Sequence, residues 1–165
     1  MRIAAVPLNA SYETEATKSK RNAARNAIML KIWGRTNSIN VRKVLWAAYE
    51  TGVVFERVDA GLSYGQVDTD WYGKMNPNRL VPVIDDDGFV LWESNVVVRY
   101  LCAKYAPALY PQDLQARFDA ERWMDWQQTS TGPASRDAFW QLIRTPPEQR
   151  DAAALQTSCA RMEPL

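Results

Sequence analysis

The chain has 165 residues, with 20 Lys+Arg against 19 Asp+Glu and no histidine. A net charge of +1 leaves no basic footprint for nucleic acid or an acidic membrane surface, and the lack of His removes Ser-His-Asp or Cys-His catalysis and imidazole metal ligation. With 47% apolar and 24% charged residues the composition is that of an ordinary soluble protein, at a length generous for one domain and thin for two.

Residues 1–28 carry Arg2, Lys18, Lys20, Arg21 and Arg25 against Glu13 and Glu15, with little apolar periodicity. They read as a flexible basic arm ahead of Met29. Leu30 to Trp33 then forms a short apolar strand ended by Gly34. After a polar turn, Val41, Val44, Leu45 and Ala48 recur at helical spacing, and Gly52 stops that helix. Val53 to Val58 is a second strand rich in β-branched residues, so the opening is a βαβ unit with a parallel pair. Residues 59–78 are loop-rich and leave room only for a short helix.

Leu80 to Ile84 and Phe89 to Trp92 are two apolar runs around Asp85-Asp86-Asp87-Gly88, a hairpin signal. Pro82 inside the first run cannot donate to a strand ladder, so it requires an edge or a special geometry. Ser94 is placed to N-cap a helix carrying Val97, Val98 and Leu101. A proline-bracketed linker over 106–112 leads to a region that reads as helical throughout. There Asp113 caps a helix bearing Ala116, Ala120, Trp123 and Met124, and Thr129 to Pro133 interrupts it. Phe139, Leu142 and Ile143 resume the pattern. A last helix after Pro146-Pro147 presents Ala152, Leu155, Cys159 and Met162 on one face. Most of the seven tryptophans are expected in the core, and Cys102 and Cys159 are expected as buried, reduced thiols of a cytoplasmic protein. No apolar run approaches the roughly 18–20 residues of a membrane span.

Three segments in this order resemble the cytosolic glutathione transferases of the serine type, in particular bacterial theta-like members. They are Leu30 to Gly34 followed by Ser38-Ile39-Asn40-Val41-Arg42-Lys43-Val44, then Asn76 through Pro82 to Ile84, then Leu91-Trp92-Glu93-Ser94-Asn95 with Val98 to Leu101. The resemblance implies a thioredoxin-like α/β domain over 29–105 in the order βαβ-α-ββα, followed by an all-α domain over 113–165. That domain holds fewer helices than the family's, so the resemblance also implies a chain truncated at its C-terminus. It further implies glutathione as co-substrate with no other cofactor and no metal, a small hydrophobic electrophile, a detoxifying role, and a homodimer.

Glutathione transfer needs the thiolate, and an ordinary thiol with a pKa near 8.5 is mostly protonated at neutral pH. A helix N-terminus contributes about 0.3–1 kcal/mol to a nearby anion, and a donated hydroxyl hydrogen bond roughly 1.5–3 kcal/mol. The turn offers Thr36, Asn37, Ser38 and Asn40 as donors; the family's Ser-x-x-x-Arg pattern falls on Ser38 and Arg42 and implies Ser38. Without a ligand, Ser38 would serve as a plain N-cap. The resemblance further implies a cis bond at Pro82, with the backbone of Val81 paired to the cysteinyl unit. It gives Ser94 and the helix N-terminus the γ-glutamyl carboxylate, and Glu93 the substrate ammonium. Leu80 stands where serine-type members often place a lysine for the glycyl carboxylate; Arg79 is the neighbouring substitute, although strand alternation turns it to the other side. Trp123 and Trp126 are the aromatic pair placed for a hydrophobic co-substrate. The competing reading is a glutathione-binding or interaction module with weak turnover or none. A glutaredoxin-like activity is disfavoured because the turn holds no cysteine.

Overall fold

A computed structural model describes residues 30–165; the basic arm over 1–28 and Met29 lie outside the described residues. The chain divides into two compact units, one through Pro107 and one from Ala108.

The first unit is built on four strands: β1 (Leu30–Trp33), β2 (Phe55–Val58), β3 (Val83–Asp86) and β4 (Phe89–Trp92). Their spatial order is β2-β1-β3-β4. The β1–β2 pair is parallel, as a βαβ crossover requires, with Leu30 opposite Phe55. The other two pairs are antiparallel, with Ile32 opposite Ile84 and Val83 opposite Trp92. Three helices complete the unit: α1 (Ile39–Thr51), α2 (Asp70–Met75) and α3 (Ser94–Tyr105). This is the thioredoxin-like arrangement that the segment order implied. Alternation along β1 buries Leu30 and Ile32 and leaves Lys31 exposed. Helical spacing buries Val41, Val44, Ala47 and Ala48 of α1 and Val97, Leu101 and Cys102 of α3. Together with Val83 and Ile84 these side chains form the core.

Local backbone geometry explains two shifts from the pattern. Strand β3 starts at Val83, so Pro82 precedes a central strand and deprives it of no ladder bond. The hairpin turn is only Asp87-Gly88, with φ of 55° and 88°, the two left-handed residues a tight type I′ connection requires. Asp85 and Asp86 therefore belong to the strand. Asp86 is buried and accepts hydrogen bonds from Tyr100 Oη, Tyr105 Oη and Lys104 Nζ, each at 2.7 Å, which tie the end of α3 to β3. Gly34 closes β1: its N–H donates to Val58 O at 2.8 Å, and a Cβ there would lie 2.5 Å from Val41 Cγ2.

The second unit contains α4 (Leu114–Trp126), α5 (Gly132–Phe139) and α6 (Ala152–Met162). Asp113 caps α4 by accepting from Ala116 N, and Asp151 caps α6 through Ala153 N and Ala154 N. The expected interruption at Thr129–Pro133 does not occur. A π-helical turn over Gln127–Thr131 joins α4 to α5, and Gly132 N–H reaches back five residues to Gln127 O. That wider turn carries the chain past Pro133, whose ring would collide with the preceding turn of a regular α-helix. A second π turn follows at Trp140–Arg144. Small residues hold α5 to α6: Ser158 Oγ donates to Ala134 O and accepts from Ala138 N.

Two expectations, on Cys159 and on the tryptophans, are corrected. The buried point of α6 is Ser158, with Leu155 and Met162 half-buried and Ala152 and Cys159 exposed, because α5 meets the face one residue round from the apolar row. Cys159 is therefore an exposed thiol, whereas Cys102 is buried. None of the seven tryptophans is fully buried. Trp46, for example, sits two residues and about 200° round α1 from Val44, so it is exposed while Val44 is in the core.

Candidate functional site

One cleft of the first unit is lined by Asn40, Asn76, Asn78, Leu80, Val81, Pro82, Glu93 and Ser94. Three local structures build it. The first is the start of α1. Ser38 holds the N-cap position in extended backbone, φ −99° and ψ 126°, yet its side chain caps nothing. It is 9% exposed and accepts Arg42 N–H at its carbonyl, 2.9 Å away. That bond opens the helical ladder, and the hydroxyl is not spent on capping the first-turn N–H groups. Asn40, two residues further on, lines the cleft, as does no other member of the Thr36, Asn37, Ser38 and Asn40 set.

The second is the segment before β3. The Val81–Pro82 bond is cis. Leu80 O, immediately before it, accepts from Tyr72 Oη and from Asn76 Nδ2, both at 2.9 Å. Asn76 Oδ1 in turn accepts Asn78 N–H at 3.0 Å. Burial pushes the Tyr72 hydroxyl pKa up to about 12, so it stays a donor throughout the physiological range. Tyr72 also belongs to a small core with Ala60 and Val83, against which Trp33, Val81 and Trp92 pack. The cis-proline segment is therefore anchored at its carbonyl and by its side chains.

The third is the start of α3. Glu93 occupies the N-cap with φ 73°, an uncommon left-handed conformation for a non-glycine residue. Ser94 is consequently the first helical residue and not the cap, which corrects the sequence reading. Its hydroxyl is enclosed, with Ser94 only 3% exposed, and has no hydrogen-bond partner. A buried unpaired hydroxyl at the N-terminus of a twelve-residue helix, in a cleft, is a group able to donate a hydrogen bond to an anion. Beside it Lys43 Nζ on α1 donates to Asn95 Oδ1 at 2.8 Å. Burial lowers the Lys43 pKa from its usual value, and the Glu93 charge opposes that shift.

Of the sequence-derived residues the cleft unites Asn40, Val81, Pro82, Glu93 and Ser94. Arg79 is a correction. Its φ of 54° turns the side chain onto the preceding loop, where Nη1 donates to Val67 O at 3.1 Å and Thr69 O at 2.9 Å. Leu80 lines the cleft in its place, and Glu93 is the one charged side chain in the lining. Asn76, Asn78, Lys43 and Asn95 lie within the segments that carried the resemblance but were given no role there, and Tyr72 had no prior sequence signal. Among the described residues no group of three or more Cys, Asp or Glu side chains is arranged to hold a metal ion, and no helix is long and apolar enough to cross a membrane.

Comparison with known proteins agrees with this fold. The family profile described as "Glutathione S-transferase, N-terminal domain" matches residues 29–103. Glutathione S-transferase GstB of Escherichia coli K12 is 43% identical over 141 residues, 83% of this chain and 67% of that protein. Human glutathione S-transferase theta-1 is 32% identical over 126 residues, 75% of this chain and 52% of the relative. The crystal structure of the theta class glutathione S-transferase from Xanthomonas axonopodis pv. citri with glutathione bound superposes with a TM-score of 0.80 at 46% identity, covering 81% of this chain and 65% of that one. This chain thus spans between about half and two thirds of the length of these relatives. It belongs to the glutathione S-transferase family, with a bacterial, theta-like character.

Proposed function

We propose that the chain binds glutathione in this cleft and activates its thiol for conjugation to a small hydrophobic electrophile. The observation that carries the reading is the enclosed, unpartnered Ser94 hydroxyl at the α3 N-terminus, facing the same cleft as Val81-Pro82 and Asn40. In this reading Ser94 and the first N–H groups of α3 hold the γ-glutamyl carboxylate, and Glu93 meets the neighbouring ammonium. The Val81 backbone pairs with the cysteinyl unit. The sulfur lies at the N-terminus of α1, where the Ser38 hydroxyl, not spent on capping, donates to the thiolate; Thr36, Asn37 and Asn40 are the alternative donors. Neutral carboxamides of Asn40 and Asn78, with water, take the glycyl end in place of Arg79. The chain works as a homodimer in a reducing, cytoplasmic setting, consistent with two free cysteines.

A second reading, a glutathione-binding module with little turnover, is favoured by the exposure of Trp123, Trp140, Leu142 and Ile143, since a pocket for an apolar electrophile needs enclosed apolar side chains. One experiment separates the two. The full chain is titrated with glutathione while tryptophan fluorescence is followed, and conjugation of a generic aromatic electrophile is assayed in parallel. Saturable binding with turnover supports the enzyme, binding alone supports the module, and no binding removes both.

A further inference from the structure

The cleft has a support that lies outside its own lining. Lys43 belongs to the second turn of α1, five residues after Ser38, and its ammonium crosses to α3 to meet Asn95 Oδ1 at 2.8 Å. Asn95 is buried, and it follows Ser94 directly. On the other side of Ser94 stands Glu93, whose left-handed backbone turns the chain into the helix and whose charge acts on the same ammonium. A half-buried cation therefore holds one neighbour of the enclosed Ser94 hydroxyl by a charge-assisted hydrogen bond and is attracted to the charge of the other. Glu93 and Lys43 also balance one another: without the cation, the carboxylate would stand alone beside an anion-binding helix end.

We infer that Lys43 is a positioning residue for the γ-glutamyl end of glutathione, acting through Asn95 and Glu93 rather than by touching the thiol. This rests on the glutathione-binding reading above and adds to it a link between the helix that faces the sulfur and the helix that faces the γ-glutamyl carboxylate. Lys43 is chosen over a merely structural lysine because its ammonium donates to the residue after Ser94 and feels the charge of the residue before it.

The test measures dissociation constants of the full chain for glutathione and for cysteinylglycine, the same thiol without the γ-glutamyl unit. Lys43→Met is expected to weaken glutathione about tenfold, the scale of one charge-assisted hydrogen bond, and to leave cysteinylglycine unchanged. Asn95→Ala should give the same selective loss, and combining the two should add little, since both cut one link. Lys43→Arg, which keeps charge and donors, should restore most of the affinity. Equal affinity of Lys43→Met and the unaltered chain for glutathione overturns the inference, as does an equal loss for both thiols, which would mark a general disturbance of the fold. If the unaltered chain itself fails to bind glutathione, the parent reading falls and takes this one with it, an outcome distinct from either of the others.

Discussion

The two units solve the problem of packing differently. In the α/β unit, Leu30, Ile32, Val41, Val44, Val83, Ile84, Val97 and Leu101 are essentially without solvent contact. Branched side chains from two strands and two helices converge there. In the helical unit the described buried residues are Ala134, Ala138 and Ser158, while Phe118, Trp123, Trp140 and Ile143 are exposed. Its helices are held by caps, by π turns and by the Ser158 hydrogen bonds more than by interlocked apolar bulk. A site needs its groups held to a fraction of an ångström, and only the first unit has a core of that kind beneath its cleft. On the proposed reading, the rigid core supports the specific part of recognition, that of glutathione, and the helical unit offers only a looser, shape-tolerant surface.

The largest expected effect comes from the centre of that core. Ile84 lies opposite Ile32 in the sheet and is 0% exposed, so Ile84→Ala leaves a cavity between fixed elements. A loss of about 2–5 kcal/mol is expected in the urea transition of the α/β unit. A loss below about 1 kcal/mol would mean that this core relaxes as readily as the helical unit.

A smaller effect is expected at the polar anchor of the same unit. Burial alone would raise the Asp86 pKa, but hydrogen bonds from Lys104, Tyr105 and Tyr100 outweigh it and hold the carboxylate below its ordinary value. Lys104 is driven above its usual range by the same contact. A carboxylate depressed in the folded state contributes stability that is fully present above its unfolded pKa, near 3.9, and is lost as pH falls through the lower folded value. Asp86→Asn should cost about 2 kcal/mol at neutral pH, by leaving an amide among donors where a carboxylate accepted them. The gap between the two proteins should narrow below about pH 4. A gap that stays constant from pH 7 to pH 3 would remove the charge from the argument.

Much of this was legible in the sequence. Two-residue and 3.6-residue periods in 30–58 and 80–101 are local signals, and they give βαβ, hairpin and helix in the observed order. Turn chemistry moved the strand limits: the pair Asp87-Gly88 alone meets the demand for two left-handed residues, which leaves Asp86 inside the core. Other features have no local signature. The π turns that keep the helix continuous through Pro133 depend on where the surrounding helix is packed. The unpartnered Ser94 hydroxyl depends on the left-handed backbone of Glu93, which an acidic residue does not announce. Lys43 and Asn95 are 52 residues apart and meet only once α1 and α3 lie side by side.

At the start of α1 the expectation is kinetic. Ser38→Ala removes a hydroxyl that no cap employs, so stability should hardly change. The pH midpoint of conjugation should rise by about one unit, corresponding to about 1.4 kcal/mol of lost thiolate stabilisation. An unchanged rate and pH profile would transfer the role to Thr36, Asn37 or Asn40.

The smallest expected effect closes the comparison by repeating the first substitution in the other unit. Ile143 is 64% exposed on the π turn that follows α5, so Ile143→Ala deletes the same atoms as Ile84→Ala from a place where water already reaches them. No cavity forms and little apolar area changes its surroundings, so the unfolding midpoint should move by less than about 0.5 kcal/mol. Glutathione affinity should also be unaltered, because no residue of that unit lines the cleft. A loss of 2 kcal/mol or more would show Ile143 covered in solution, by a second copy of the chain for instance. Dilution would then identify that cover, since stabilisation by association falls with concentration whereas stabilisation within one chain does not.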